Sequence, residues 1–76
     1  MPNIDVKIED GWLKIYINGV LHHRIKTIDI VAIETWIYDD RYFIEYFVKY
    51  KTRSIFCEYN SREKWQHIIE KIDKLI

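Results

Sequence analysis

The pair Asn18-Gly19 sits between two runs of alternating apolar and polar residues, "WLKIYI" and "VLHHRIK", and constrains the chain more than any other feature. Both residues tolerate the positive φ that a type I′ turn demands, so the flanking runs are read as a two-residue hairpin. The same punctuation recurs. "EDG" at 9 to 11 separates "IDVKI" from the second strand, and Asp39-Asp40 turns "VAIETWIY" back into "RYFIEYFVKYK". "TIDI" at 27 to 30 reads as a tight corner, and Thr52-Arg53 as the turn into "SIFCEY". Six strands in up-and-down order follow.

The chain then changes period. Asn60, with Glu63 three residues on, is a capping-box pattern, and Trp65, Ile68, Ile69, Ile72 and Ile76 recur at helical spacing with charged residues between them. The expected fold is α+β: a curved, partly open antiparallel meander with its strands within 4–59 and an amphipathic helix over 61–75 packed on it. One domain, 1–76, is expected, since 76 residues bury only about 60% of their unfolded surface. A large enclosed active site does not fit that size.

Charge and cysteine usage narrow the function classes. Twelve basic and twelve acidic side chains cancel, so attraction to nucleic acid or an anionic membrane would have to come from a local patch. The first ten residues include acids and lack the continuous apolar segment of a secretory signal, and no run reaches spanning length. Cys57 is the single cysteine. A cytoplasmic protein without an internal disulfide is the expectation.

Eight of the twelve aromatic residues fall between Tyr38 and Tyr59, on both faces of the strands. With Asp39-Asp40 as a two-residue turn, Ile37 faces Tyr42, Thr35 faces Ile44, Ile33 faces Tyr46 and Val31 faces Val48. The Thr52-Arg53 turn sets Tyr50 opposite Ile55 and Val48 opposite Cys57. One face then holds Val31, Ile33, Ile37, Tyr42, Ile44, Tyr46, Val48, Tyr50, Ile55, Cys57 and Tyr59 and is the expected core. The other sets Trp36, Phe43, Phe47 and Phe56 among Arg41, Glu45, Lys49 and Glu58. That second face, with Trp36, Phe43, Phe47, Phe56, Arg41 and Lys49 as its partner-binding residues, is the candidate site.

Sharper chemistries have less support. His22 and His23 are adjacent on a strand and point to opposite faces, so they do not converge on a metal; they are expected opposite Ile15 and Lys14. Cys57 reads as a small core residue, and Asp39 and Asp40 as turn formers. No glycine-rich phosphate loop or serine motif is present. Neither catalysis nor a metal or other cofactor is expected. "RYFIEYFVKY" has an echo of the aromatic strand of RNA-recognition motifs, without their glycine and second helix. Lys49, Lys51 and Arg53 cluster near one turn, and the outward rings are suited to stacking bases.

"RIKTIDIVAIE", followed after two more strands by "SREKWQHIIEKID", resembles the bacterial pleckstrin-homology-like domains in its order of apolar positions. Ile25, Asp29, Ile30 and Ile33 match the corner of that pattern, and Trp65, Ile68, Ile69 and Ile72 its helix face, over roughly residues 12 to 76. Thr27 stands where leucine is common, and six strands replace the usual seven. The loop "EDG" is acidic where phosphoinositide-binding relatives are basic, so lipid headgroup binding is not implied. A scaffold for protein contacts is what the resemblance implies. The function expected is therefore a protein-interaction or homo-oligomeric assembly module using the aromatic face, with single-stranded nucleic-acid binding by the same face as the alternative.

Overall fold

The computed structural model of the chain describes residues 2–75. Six antiparallel strands and a C-terminal helix form the expected α+β architecture: β1 (Ile4–Glu9), β2 (Trp12–Ile17), β3 (Val20–Lys26), β4 (Ile30–Tyr38), β5 (Arg41–Val48), β6 (Ile55–Tyr59) and α1 (Arg62–Asp73). The meander divides into two three-stranded sheets, β1-β2-β3 and β4-β5-β6, and does not close into a barrel. The division falls at a single 3₁₀ turn, Thr27–Asp29. Thr27 is tied there to the Gly11 carbonyl by its amide (2.9 Å) and its hydroxyl (3.2 Å), so the chain leaves one sheet at a fixed angle before entering the other.

Local chemistry accounts for three of the connections. Asp10-Gly11, Asn18-Gly19 and Asp39-Asp40 all take positive φ, as type I′ turns require. The β4–β5 register follows from the last of these: Trp36 pairs with Phe43, Thr35 with Ile44 and Ile33 with Tyr46. A bulge interrupts it at Val31, so Ile30, not Val31, pairs with Val48. Val31 is consequently exposed rather than in the core.

Two other registers depart from the sequence reading. A bulge in the second hairpin makes His22 the extra residue, so His23 pairs with Ile15 and Arg24 with Lys14. The β5–β6 connection is longer than Thr52-Arg53: β5 ends at Val48 and β6 starts at Ile55. Tyr46 therefore pairs with Ile55 and Ile44 with Cys57, a slip of four positions that keeps the paired side chains of β5 and β6 on their expected faces. Tyr50 lies beyond the strand and is 88% exposed, and Ile37, at the free edge of its sheet, is exposed as well.

The core lies between the two sheets and the helix. Val6, Leu13 and Ile15 from the first sheet, Ile44, Tyr46, Cys57 and Tyr59 from the second, and Trp65, Ile68 and Ile72 from α1 form one buried cluster. Ile69 packs at its margin, and Ile76 lies outside the described residues. The helix starts one residue later than its sequence pattern suggests, because Ser61, not Asn60, is the cap: its hydroxyl accepts from the Lys64 amide at 3.3 Å. The Trp65 indole N–H donates to the Phe43 carbonyl at 3.0 Å, which fixes the helix across the second sheet.

Candidate functional site

The outer face of the second sheet gathers three of the four expected rings. Trp36 stacks on Phe43 with centroids 5.2 Å apart, and Phe56 lies 5.8 Å from Trp36 and 5.3 Å from Phe43. The pairing explains this. Trp36 lies directly across from Phe43, and Phe56 reaches in from β6, where it pairs with Glu45. Packing within the cluster buries Phe43 to 8% exposure, so the surface that a partner would meet is Trp36 and the outer side of Phe56, itself 53% exposed.

The remaining residues of the expected site divide. Arg41 stays beside the rings, 3.9 Å from the Glu58 carboxylate. Phe47 is half-buried on β5 opposite Ala32 and joins none of the ring pairs. Lys49 is carried away: its amide donates to the Asp29 carbonyl at 2.8 Å and its ammonium stands 5.2 Å from the Tyr50 ring centroid. Glu34 faces Glu45 as expected. The Ser54 hydroxyl donates to the Glu45 carboxylate, so the like-charge pair is relieved from the β6 side.

Beside the rings runs an unpaired edge. In the order β4-β5-β6, β4 bonds to β5 on one side and to no other strand among the described residues. Tyr38 and Arg41 flank a two-residue turn and exchange hydrogen bonds, so the groups of Trp36 and Glu34 also point toward β5. Those of Ile33, Thr35 and Ile37 point outward. This edge is nine residues long, carries one charge, Glu34, and exposes Val31 (69%), Ile37 (49%) and Tyr38 (72%).

A second concentration of functional groups lies at the other end of β5. Arg24 and Lys26 project from β3 beside Trp12, 4.2 and 5.7 Å from its ring, and border an open depression with Lys49, Tyr50 and Lys51. Sequence spacing separates the two halves of this group and gave no sign that they meet. His23 lines the adjoining depression, its pKa lowered chiefly by burial and then by Lys51 and His22. No group of three or more potential metal-ligating side chains occurs among the described residues. Burial pushes the Cys57 thiol up to about 11, which leaves it protonated at neutral pH. No helix among the described residues is long and apolar enough to cross a membrane.

Set against models of protein families, curated proteins and solved structures, the chain matches none.

Proposed function

We propose that the chain is a non-catalytic self-association module, in which the outer edge of β4 pairs antiparallel with β4 of a second copy and the ring cluster borders the contact. The observation that carries this reading is the edge itself. Native sheet edges are usually short, charged, broken by proline or bulges, or covered. β4 is long and nearly uncharged, and its one bulge, at Val31, leaves residues 32 to 38 regular.

The edge is complementary to itself about a two-fold axis. Outward groups must meet outward groups, so Ile33, Thr35 and Ile37 must pair among themselves. Centring the two-fold axis on Thr35 sets Thr35 against Thr35 and Ile33 against Ile37 of the second copy, with about six new backbone hydrogen bonds. Centring it on Glu34 would oppose two carboxylates and engage the bulge. The favoured register instead places Glu34 beside Trp36 of the second copy, which brings the two ring clusters together along one continuous six-stranded sheet. Supporting a non-catalytic role, Asp39 and Asp40 are exposed turn residues and Cys57 is buried.

Sedimentation velocity over a range of concentrations tests this with Thr35→Pro. The Thr35 amide points away from β5, so proline there spares the fold while removing a donor from the contact. The parent is expected to sediment as a dimer and the variant as a monomer with an unchanged circular dichroism spectrum. A parent that stays monomeric at every concentration overturns the proposal.

A further inference from the structure

Two open depressions, of about 380 and about 390 Å³, flank the β5–β6 turn and share Tyr50 and Lys51 as a common wall. Five cations border them, Arg24 and Lys26 from β3 and Lys49, Lys51 and Arg53 from the turn, against a single carboxylate, Asp29. The chain as a whole has no net charge. The gathering is therefore local, and it is unspent: among the described residues the ion pairs are Lys14–Glu9, Arg41–Glu58 and Lys64–Asp5, none of which uses these five. Holding like charges together without carboxylate partners costs stability, and an anionic ligand would recover it.

A second, independent observation concerns Tyr50. Its φ is 70°, whereas every other residue at positive φ among the described residues is Asp, Asn or Gly. A bulky side chain is strained there, and glycine would remove the strain. The strained conformation nevertheless holds the ring at 88% exposure between the two depressions, with the Lys49 ammonium 5.2 Å from its centroid. The ring contributes nothing to the core.

We propose that this groove binds single-stranded nucleic acid, the cations taking successive phosphates and the free face of Tyr50 stacking on one base. A flexible, phosphate-bearing chain uses every feature present: several separate cations, an open path, and an aromatic face that tolerates any base. An acidic peptide would engage the cations and leave the ring idle. A small anion would require enclosure, which two open depressions do not provide. Arg24 and Lys26 are already oriented by their contacts with Trp12, so part of the phosphate-binding row is formed before any ligand arrives. None of the groove residues lies on β4, and the proposal stands apart from self-association.

Anisotropy titration of a fluorescein-labelled oligothymidylate with the full chain is the test. With four phosphates contacted, affinity is expected to fall about 50-fold between roughly 50 and 200 mM salt. Tyr50→Gly is expected to bind about tenfold more weakly while melting no lower than the parent, since glycine relieves the backbone. Lys51→Gln combined with Arg53→Gln should weaken binding and flatten the salt dependence. Three results would overturn the proposal: no anisotropy change with the parent; displacement of the oligonucleotide by equivalent polyglutamate; or Tyr50→Gly binding as the parent does. Binding to phosphatidylserine vesicles without binding to the oligonucleotide would equally reject it in favour of a membrane surface.

Discussion

β1 and β4 are both edge strands, each opening a three-stranded sheet, and the molecule treats them differently. β1 carries Asp5, Lys7 and Glu9 along its six residues, and the helix lies beside it. Lys71 donates to the Val6 carbonyl at 3.0 Å, a backbone group that a further strand would use, and Lys64 pairs with the Asp5 carboxylate beside it. β4 carries Glu34 alone and has no strand on its outer side among the described residues. The helix thus occupies part of the β1 edge, whereas residues 32 to 38 of β4 receive no hydrogen bond from outside their sheet among the described residues, and the contrast separates a part of the molecule that holds the fold from a part suited to contact.

If that division is right, disruption on the β1 and helix side should cost folding and disruption at β4 should not. The largest effect is expected from Ile68→Asp, since Ile68 is fully buried and, among the described residues, no buried cation can pair the new charge. Thermal unfolding followed by circular dichroism should find the variant unfolded at ambient temperature; native-like melting would mean that α1 does not seal the core. Next is a matched pair of truncations. Leu13→Ala empties a site at 0% exposure and should cost about 2–5 kcal/mol in urea unfolding. Ile37→Ala, at 49% exposure on the β4 edge, should cost the isolated chain less than about 1 kcal/mol. Equal losses would erase the distinction between the buried side of the first sheet, where Leu13 lies on β2, and the β4 edge.

A smaller effect concerns the core of the second sheet. The hydroxyls of Tyr46 and Tyr59 are buried near each other with no hydrogen bond of normal geometry among the described residues, and burial drives both phenol pKa values far upward. An unsatisfied buried hydroxyl is a cost, so Tyr46→Phe or Tyr59→Phe should leave stability unchanged or raise it by about 1 kcal/mol. Chemical denaturation measures it. A loss of stability would show that the two hydroxyls satisfy each other.

Smallest is the half-buried pair at the β1 edge. The hydrogen bond from Lys64 holds the Asp5 carboxyl below its ordinary 3.8, its burial opposing. A depressed folded-state pKa contributes stability that is complete above the unfolded value and is lost as pH falls through the folded one. Asp5→Asn should therefore remove at most about 1 kcal/mol at neutral pH and flatten the decline of melting temperature below pH 4 or so. An unchanged acid profile would remove Asp5 from that account.

The parts of this arrangement legible in the sequence are those fixed by local chemistry. Asp39-Asp40 set the β4–β5 register through Tyr38 and Arg41, and with it the meeting of Trp36 and Phe43. The helix stripe followed from period alone. The β5–β6 register was not legible, because six residues, Lys49 to Ser54, separate those strands and none is a glycine. The error there was an even number of positions, which is why the two faces survived it. Tyr50 did not: alternation continued past Val48 on paper, while the strand ends there. The basic groove was half visible in Lys49, Lys51 and Arg53. Its other half, Arg24 and Lys26, is contributed by the opposite sheet, and only the corner at Thr27–Asp29 brings the two together. Burial of Phe43 was missed for a related reason, since it depends on Phe56 reaching across from β6.

Amide hydrogen exchange along β4, followed at increasing protein concentration, tests the proposed edge contact most directly. The Glu34 and Trp36 amides bond to β5 and should be protected at every concentration, while those of Ile33, Thr35 and Ile37 should exchange rapidly when dilute and slow markedly as the dimer forms. Exchange at Ile33, Thr35 and Ile37 that stays rapid at all concentrations, or is slow even in the monomer, would contradict an open edge that a second copy closes.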